Sequence, residues 1–143
     1  MKKILIINGP NLNMLGLREP EIYGRKTYDD LIKYISDYCK GKALPEFFQS
    51  NHEGAIIDEI QKARGVYDGI ILNAGGYTHT SVAVADAVSA AGVPTVEVHI
   101  SDIHKRESFR HHSYLTAVCK KTIMGHGFEG YTMAVDFLTK MNI

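Results

Sequence analysis

Short runs of branched apolar residues alternate along this chain with longer amphipathic stretches. The apolar runs predict strands at residues 2–8, 46–51, 67–73, 94–100 and 120–125. The amphipathic stretches predict helices at residues 27–40, 53–64, 81–91, 108–118 and 129–141. Such alternation with short links indicates an α/β fold, with a doubly wound, five-stranded parallel sheet, helices on both faces and right-handed crossovers.

Capping residues mark where the predicted helices begin and end. Thr27, with Asp30 three positions later, matches a capping box at the start of the first helix. Thr80 and Ser81 are candidate caps of the third helix, and Gly92 is expected to end it.

Polar residues follow four of the predicted strands at the point where each strand ends. The clusters comprise residues 8–11, 49–52, 73–79 and 99–101. In an open parallel sheet, ligands bind beyond the carboxyl ends of the strands. We therefore expect these four clusters to lie along one rim and to contain the functional site.

The fourth predicted strand departs from the apolar composition of a parallel strand that is covered on both faces. Val96, Val98 and Ile100 point to one face of the sheet, whereas Glu97 and His99 point to the other. His99 lies at the strand end, facing the expected cleft, and an imidazole with an ordinary pKa of about 6.5 is suited to proton transfer. The alternative is a core histidine held by a structural carboxylate.

The segment after this strand carries groups that suit anions and hydroxyls. The backbone N–H groups of Ile100 and Ser101 are positioned to bind an anion, although an ordinary turn is the simpler explanation. Arg106 and Arg110 are four positions apart, hence on one face if the segment is helical. Guanidinium groups fit carboxylates and hydroxyl pairs, so with His99 upstream we expect substrate-facing arginines rather than a solvated face.

Histidines are concentrated in the same region, which raises the question of a metal site. Four of the seven histidines in the chain are His99, His104, His111 and His112. Their spacings match no compact zinc motif, and the two adjacent histidines would point about 100° apart on a helix. We therefore expect no metal at this site.

Residues 9–26 form a long loop after the first strand, rich in Gly, Pro and Asn. Loops of this length in compact domains are usually lids or binding loops, and Gly16 and Gly24 are a candidate hinge pair. Arg18 and Tyr23 lie between them. A guanidinium near a phenol lowers the pKa of the phenol, so this pair could supply a base. A solubilising loop with one packed aromatic side chain is the alternative.

The segment at residues 73–87 combines flexible backbone with polar side chains. Gly75 and Gly76 allow a sharp turn close to a ligand, and His79 lies just before the next helix. Asp86 stands on a helix made of small residues, which suits close packing against another subunit. Asp86 is therefore either part of a neighbouring subunit's site or an ordinary surface residue.

Composition narrows the class of protein. The chain has 143 residues, 45% of them hydrophobic, and zero formal net charge, so we expect one domain spanning residues 1–143 and no nucleic-acid partner. The apolar run at residues 4–7 is too short for a signal peptide or a membrane span. Cys39 and Cys119 lie far apart, which favours reduced cysteines in a cytoplasmic protein.

Motifs of other enzyme classes are missing from the sequence. There is no GxSxG elbow around Ser50, Ser81 or Ser101, no GxGxxG after the first strand, and no phosphate-binding loop. Three rival functions stay open at this point: a flavodoxin-like module that binds a nucleotide or flavin, a metal-dependent hydrolase, and an inactive scaffold.

Motifs spread over nearly the whole chain resemble type II 3-dehydroquinate dehydratases. They read NGPNLNMLGLREPEIYG, QSNHEG, NAGGYTHTS, EVHISDIHKRESFRHHSY and IMGHGFEGY. The resemblance implies a flavodoxin-like fold and a hydro-lyase that converts 3-dehydroquinate to 3-dehydroshikimate and water by anti elimination through an enolate. It also implies no metal or cofactor, and a cytoplasmic homododecamer built from trimers in the shikimate pathway to chorismate and the aromatic amino acids.

The resemblance also implies roles for individual residues. Tyr23 would take the proton alpha to the substrate ketone, with Arg18 keeping Tyr23 ionised. His99 would protonate the departing hydroxyl, and Asn11 and Asn73 would lie near the water that holds the enolate. The residues implied for substrate binding are Asn73, His79, Ile100, Ser101, Arg106 and Arg110, together with Asp86 from an adjacent subunit.

Overall fold

The structure is a computed structural model that describes residues 1–17, 21 and 24–142. Within those residues the chain forms five strands, β1 (Lys3–Asn8), β2 (Leu44–Gln49), β3 (Gly69–Asn73), β4 (Thr95–His99) and β5 (Lys121–Met124). All neighbouring strands are parallel, in the order β2-β1-β3-β4-β5. The prediction of a doubly wound parallel sheet is therefore confirmed.

Helices cover both faces of the sheet. In the described part of the chain they are α1 (Tyr28–Cys39), α2 (Glu53–Lys62), α3 (Val82–Ala91) and α4 (Glu129–Lys140). Successive strand residues point to opposite faces, so Ile4 and Ile6 pack with α1 and α4, whereas Leu5 and Ile7 pack with α2 and α3. Among these helices none has the length and apolar character needed to span a membrane.

The predicted helix caps are largely confirmed. The Thr27 hydroxyl accepts a hydrogen bond from the Asp30 backbone N–H at 3.2 Å, and the Asp30 carboxylate accepts one from the Thr27 N–H at 2.9 Å. Ser81, rather than Thr80, caps α3, because its hydroxyl accepts from the Val84 N–H at 3.0 Å. Gly92 ends α3 with a φ of 68°, in the left-handed region that glycine adopts without steric cost.

The helix predicted over residues 108–118 is wrong. The chain there makes a single 3-10 turn at Ser108–Arg110 and otherwise consists of bends and turns. Arg106 lies before this turn and Arg110 at its end, so the two arginines do not share a helical face.

Contacts with the loop after β3 replace helical hydrogen bonds in this segment. The Tyr114 N–H donates to the Thr78 carbonyl oxygen at 3.0 Å. The His112 carbonyl oxygen lies 2.8 Å from Nδ1 of His79. Backbone groups that would form hydrogen bonds within a helix thus bond to another part of the chain. A prediction from local periodicity does not account for such long-range hydrogen bonds.

Hydrogen bonds join the carboxyl ends of the first three strands, so three of the four predicted polar clusters lie along one rim. The Gly9 N–H donates to the Asn73 carbonyl oxygen at 2.7 Å, and the Ser50 N–H donates to the Asn8 carbonyl oxygen at 3.1 Å. The Asn51 side chain accepts from the Asn11 N–H at 3.0 Å.

The long loop after β1 is anchored at its base. Leu12 and Leu15 are 5% and 2% exposed and pack into the core beneath α1. Gly16 and Gly24 have φ angles of 85° and 80°, and a Cβ on Gly16 would lie 2.8 Å from the Arg25 carbonyl oxygen. Gly16 and Arg25, on either side of the segment that carries Arg18 and Tyr23 in the sequence, therefore lie close together. Arg18 and Tyr23, the predicted functional residues of this loop, lie outside the described residues.

Both cysteines are free and serve as packing residues, as predicted. Cys39 is buried in α1, and Cys119 is partly buried in the connection that precedes β5. Burial raises the pKa of the Cys119 thiol to about 12, so it is an unreactive neutral thiol at physiological pH.

Gly9 provides a test of how tightly β1 approaches the turn after β3. A Cβ at Gly9 would lie 2.4 Å from the Ala74 carbonyl oxygen, closer than packed atoms can approach. Gly9→Ala should therefore lower the free energy of unfolding by about 1–3 kcal/mol in urea denaturation. Gly54→Ala is the control: Gly54 lies in α2 with open space around its missing Cβ, and should be unchanged or gain at most about 1 kcal/mol. Equal stability of the two variants would contradict this packing.

Candidate active site

A pocket of about 170 Å³ opens at the carboxyl ends of β1, β3 and β4. It lies where an open parallel sheet is expected to bind its ligand. The predicted site residues that line it are Asn11, Asn73, His79, His99, Ile100, Ser101, Arg106 and Arg110.

A buried imidazole–carboxylate pair lies at the end of β4. His99 is 6% exposed and Glu97 is fully buried, and Nε2 of His99 lies 2.5 Å from Oε2 of Glu97. The same carboxylate oxygen accepts from the Ser113 hydroxyl at 2.6 Å. The other oxygen accepts from the hydroxyls of Thr116 and Thr122, each at 2.9 Å. Both carboxylate oxygens are therefore satisfied by donors.

The surroundings of Glu97 keep it ionised. Burial alone raises the pKa of Glu97. The hydrogen bond from His99 and the electrostatic attraction to it, together with the hydrogen bonds from Ser113 and Thr116, outweigh burial and bring the pKa below its ordinary value of 4.5. An ionised carboxylate can only accept hydrogen bonds, so Nε2 of His99 must carry a hydrogen. Nδ1 is then the ring nitrogen of His99 available to a ligand in the pocket.

The hydrogen bonds to Glu97 also help to explain why residues 108–118 are not helical. Ser113 directs its hydroxyl to Glu97 and at the same time accepts from the Leu115 N–H at 3.1 Å. A serine side chain that bonds the backbone two residues on competes with helical hydrogen bonding.

Two arginines line the pocket beside His99. Arg106 is largely buried, with 9% of its side chain exposed, and it donates from Nη1 to the Ser101 hydroxyl at 3.2 Å. Arg110 donates from Nε to the Glu107 carboxylate at 2.6 Å. This hydrogen bond lowers the pKa of Glu107 and sets the orientation of the Arg110 guanidinium.

His79 is held by the segment opposite. Its Nδ1 lies 2.8 Å from the His112 carbonyl oxygen, so this nitrogen carries the hydrogen and Nε2 is left as an acceptor. Burial lowers the pKa of His79, which favours a neutral ring at the pocket.

Asn11 adopts an unusual backbone conformation at the pocket edge. It has a φ of 69°, and it is the single non-glycine with a positive φ in the described residues. Asparagine tolerates this region better than most residues, and such outliers are concentrated at functional sites. The hydrogen bond from the Asn11 N–H to Asn51 fixes this conformation.

Asp86 is not part of this pocket within one chain. It is exposed on α3, outside the pocket lining. In the described residues no group of three or more His, Cys, Asp and Glu side chains is arranged to hold a metal ion.

Several residues at the site were missed by the sequence analysis. Leu12 and Ile103 supply apolar walls of the pocket, and Ser113, Thr116 and Thr122 surround Glu97. One signal in the sequence could have predicted these hydroxyls, namely a glutamate at position 97 with an apolar residue on either side of it in the strand. A buried carboxylate needs hydrogen-bond donors around it.

Comparison with known proteins is consistent with this geometry. The family described as Dehydroquinase class II matches residues 2–139 of the chain. The chain belongs to the class II dehydroquinases. Described residues from four of the five motifs that suggested this family, among them Asn11, Asn51, Asn73 and His99, line the pocket or the rim described above.

Individual relatives cover almost all of the chain. It is 59% identical to the "3-dehydroquinate dehydratase" of Fusobacterium nucleatum over 95% of both chains. It is 54% identical to "3-dehydroquinate dehydratase 1" of Corynebacterium efficiens over 99% of this chain and 94% of that one. The crystal structure of type II dehydroquinase from Butyrivibrio crossotus matches with a TM-score of 0.95 and 51% identity, over 97% of this chain and 98% of that chain.

Glu97→Gln tests the ionised state of the buried carboxylate in this class II dehydroquinase. Because the pKa of Glu97 is lower in the folded chain, its ionisation stabilises the fold above about pH 4.5, and this contribution is lost as pH falls through the folded pKa. Glu97→Gln should remove this part of the pH dependence and destabilise the fold at pH 7 by about 1–3 kcal/mol, because the amide NH₂ cannot accept the hydrogen bonds that one carboxylate oxygen accepts. Thermal or urea unfolding between pH 7 and pH 3 measures both effects.

The control for this measurement is Glu107→Gln. The Glu107 side chain is 50% exposed, so solvent screens its ion pair with Arg110 and we expect Glu107→Gln to leave the stability almost unchanged. A Glu97→Gln variant that keeps the acid dependence of the unmodified protein would show that Glu97 is not the ionised group.

Proposed function

We propose that this chain is a 3-dehydroquinate dehydratase, a hydro-lyase that converts 3-dehydroquinate to 3-dehydroshikimate and water in the shikimate pathway. The observation that carries the proposal is membership of the class II dehydroquinases along nearly the whole chain. The pocket supports it, since a polyhydroxy acid needs both hydrogen-bond donors and cationic groups, and both are present at the rim.

The substrate carries a carboxylate, a ketone and ring hydroxyls, and the lining of the pocket suggests partners for the carboxylate and the hydroxyls. We assign the carboxylate and adjacent ring oxygens to Asn73 and to the backbone of Ile100 and Ser101. We assign the ring hydroxyls to His79, whose Nε2 is an acceptor, and to the guanidinium of Arg110. Arg106 supports this set through its hydrogen bond to the Ser101 hydroxyl.

His99 is assigned as the acid that protonates the departing hydroxyl. Glu97 holds Nε2, so a protonated His99 presents its second N–H, at Nδ1, to the pocket. Transfer of that proton to the leaving oxygen releases water and leaves a neutral ring that is still bonded to Glu97. The carboxylate stabilises the imidazolium that the reaction needs and holds the ring in place.

Tyr23 is assigned as the base that removes the alpha proton, with Arg18 lowering its pKa. Both residues lie outside the described part of the chain, so their assignment rests on the sequence. Gly24, the residue after Tyr23, lines a groove together with Ile100, Ser101 and Arg106, next to the pocket. We assign residues 9–26 as the lid of the site, which would exclude bulk water from the enolate.

Asn11 is assigned to the enolate stage of the reaction. It lines the pocket, and its backbone is fixed in the left-handed region. We propose that it lies near an ordered water that donates to the enolate oxygen. A preorganised donor at this position would stabilise the developing charge by several kcal/mol, about as much as one oxyanion-hole contact.

Assembly and location extend this proposal. We propose that residues 1–143 act as one catalytic domain in a homododecamer of trimers, with Asp86 completing the site of an adjacent subunit. The exposure of Asp86 on α3, beside Val82 with 52% exposure, supports such a contact. Two free cysteines support a reducing compartment, and we place the protein in the cytoplasm.

The proposed function is tested by mixing the purified protein with 3-dehydroquinate and following the ultraviolet absorbance of the conjugated product. We expect a rise that a strong chelator does not change, because the assigned acid and base are side chains. Tyr23→Phe should lose turnover by about a hundredfold or more, as expected for removal of a general base, and still bind substrate-like acids. Tyr34→Phe, on the outer surface of α1, is the control and should keep full turnover.

Other outcomes of this assay separate the rivals. A rise that the chelator abolishes would support metal-dependent chemistry at the histidine-rich segment. No rise from folded protein would contradict the dehydratase assignment, and binding of FMN would then support a flavin module. Near-normal turnover of Tyr23→Phe would remove Tyr23 as the base.

A further inference from the structure

A fully buried tyrosine in α4 connects two strand ends beneath the pocket. Tyr131 is 0% exposed, and its hydroxyl donates to Oδ1 of Asn8 at 2.6 Å. The same hydroxyl accepts from Nδ2 of Asn73 at 3.0 Å. Asn73 lines the pocket, whereas Tyr131 does not.

The two asparagines occupy positions where the sheet would otherwise be apolar. Asn8 and Asn73 are register partners at the last residues of β1 and β3. Ile4 and Ile6 precede Asn8 on the face of β1 that packs with α4. Both asparagines are almost fully buried, so their amides need partners, and Tyr131 provides one for each.

The direction of these hydrogen bonds follows from one backbone group. The Gly75 N–H donates to Oδ1 of Asn73 at 3.2 Å, and only the amide oxygen can accept it. Nδ2 of Asn73 must therefore face Tyr131, which makes the Tyr131 oxygen an acceptor. The single hydrogen of the phenol is then left for Asn8, in agreement with the observed contact.

The phenol stays neutral in this position. Burial raises the pKa of Tyr131, so the hydroxyl keeps its hydrogen at physiological pH and remains both a donor and an acceptor. Tyr131 and Gly75 together hold the Asn73 amide from two sides. One N–H hydrogen and one oxygen lone pair of Asn73 are left for a ligand in the pocket.

We propose that Tyr131 is a positioning residue, which acts through Asn73 to fix the amide that binds the substrate. The proposal rests on the proposed function, because its readout is turnover of 3-dehydroquinate. If the Asn73 amide is already held in its binding orientation in the free protein, substrate binding does not have to pay the cost of ordering it. Loss of the hydroxyl should therefore weaken substrate binding while the acid and base stay in place.

Tyr131→Phe tests this proposal, because it removes the hydroxyl and keeps the ring that fills the core. We expect KM to rise about tenfold and kcat to stay within about twofold, since a buried amide hydrogen bond is lost beneath the pocket. The control is Tyr38→Phe, which removes the hydroxyl that donates to Asp136 on the same face of the sheet, away from the pocket. Tyr38→Phe should change thermal stability and leave KM unchanged.

A double-mutant cycle separates positioning from a structural role. If Tyr131 acts through Asn73, Tyr131→Phe should raise KM in the unmodified protein and have almost no further effect in Asn73→Ala. Asn8→Ala is a second variant, in case Tyr131→Phe does not fold. It removes the acceptor of the Tyr131 hydrogen, and we expect a smaller rise in KM.

The outcomes distinguish this inference from the proposed function. Absence of turnover in the unmodified protein would contradict the dehydratase assignment itself. If the unmodified protein turns over 3-dehydroquinate, two results would overturn the positioning role alone. One is an unchanged KM in Tyr131→Phe, and the other is an equal effect of Tyr131→Phe on KM with and without Asn73→Ala. An unchanged KM in Asn8→Ala would overturn it where Tyr131→Phe fails to fold.

Discussion

A carboxylate buried within a parallel sheet is the constraint on which the site depends. Glu97 is fully buried, and an unpaired carboxylate in such a place would be strongly destabilising. Its partners come from the same strand, from β5 and from the connection between them, namely His99, Thr122, Ser113 and Thr116. The donors that satisfy this one charge therefore orient His99 and help to shape the segment that carries Arg106 and Arg110.

The two faces of the sheet each contribute one polar network to the same rim. On the face covered by α2 and α3, Glu97 holds His99, opposite the apolar residues of β4 that pack with α4. On the face covered by α1 and α4, Tyr131 holds Asn73. Parallel strands end at the same edge, so groups fixed from opposite sides of the core meet in one pocket. Strands and helices of the core thus position His99 and Asn73 at the pocket.

Local signals predicted the strands, most of the helices and the helix caps, because each depends on residues close together in the sequence. The apolar strands and the capping box at Thr27 are examples. The rim followed from the rule that parallel strands end at the same edge of a sheet. Residues 108–118 were predicted wrongly, since their hydrogen bonds go to Glu97 and to the loop at Thr78. The role of Tyr131 was not predicted for the same reason. Its hydrogen-bond partners lie 58 and 123 positions away in the sequence, and the sequence alone indicates an ordinary aromatic residue of the core.

The central claim is that the end of β4 supplies the acid of the dehydration, and a His99→Ala variant tests it most directly. In deuterated water with 3-dehydroquinate, exchange of the alpha proton and formation of product can be followed in the same sample. We predict that product formation falls by about a hundredfold or more, as expected for removal of a general acid, while alpha-proton exchange stays measurable. Loss of both together, or dehydration at the unmodified rate, would contradict the assignment of His99 as the acid.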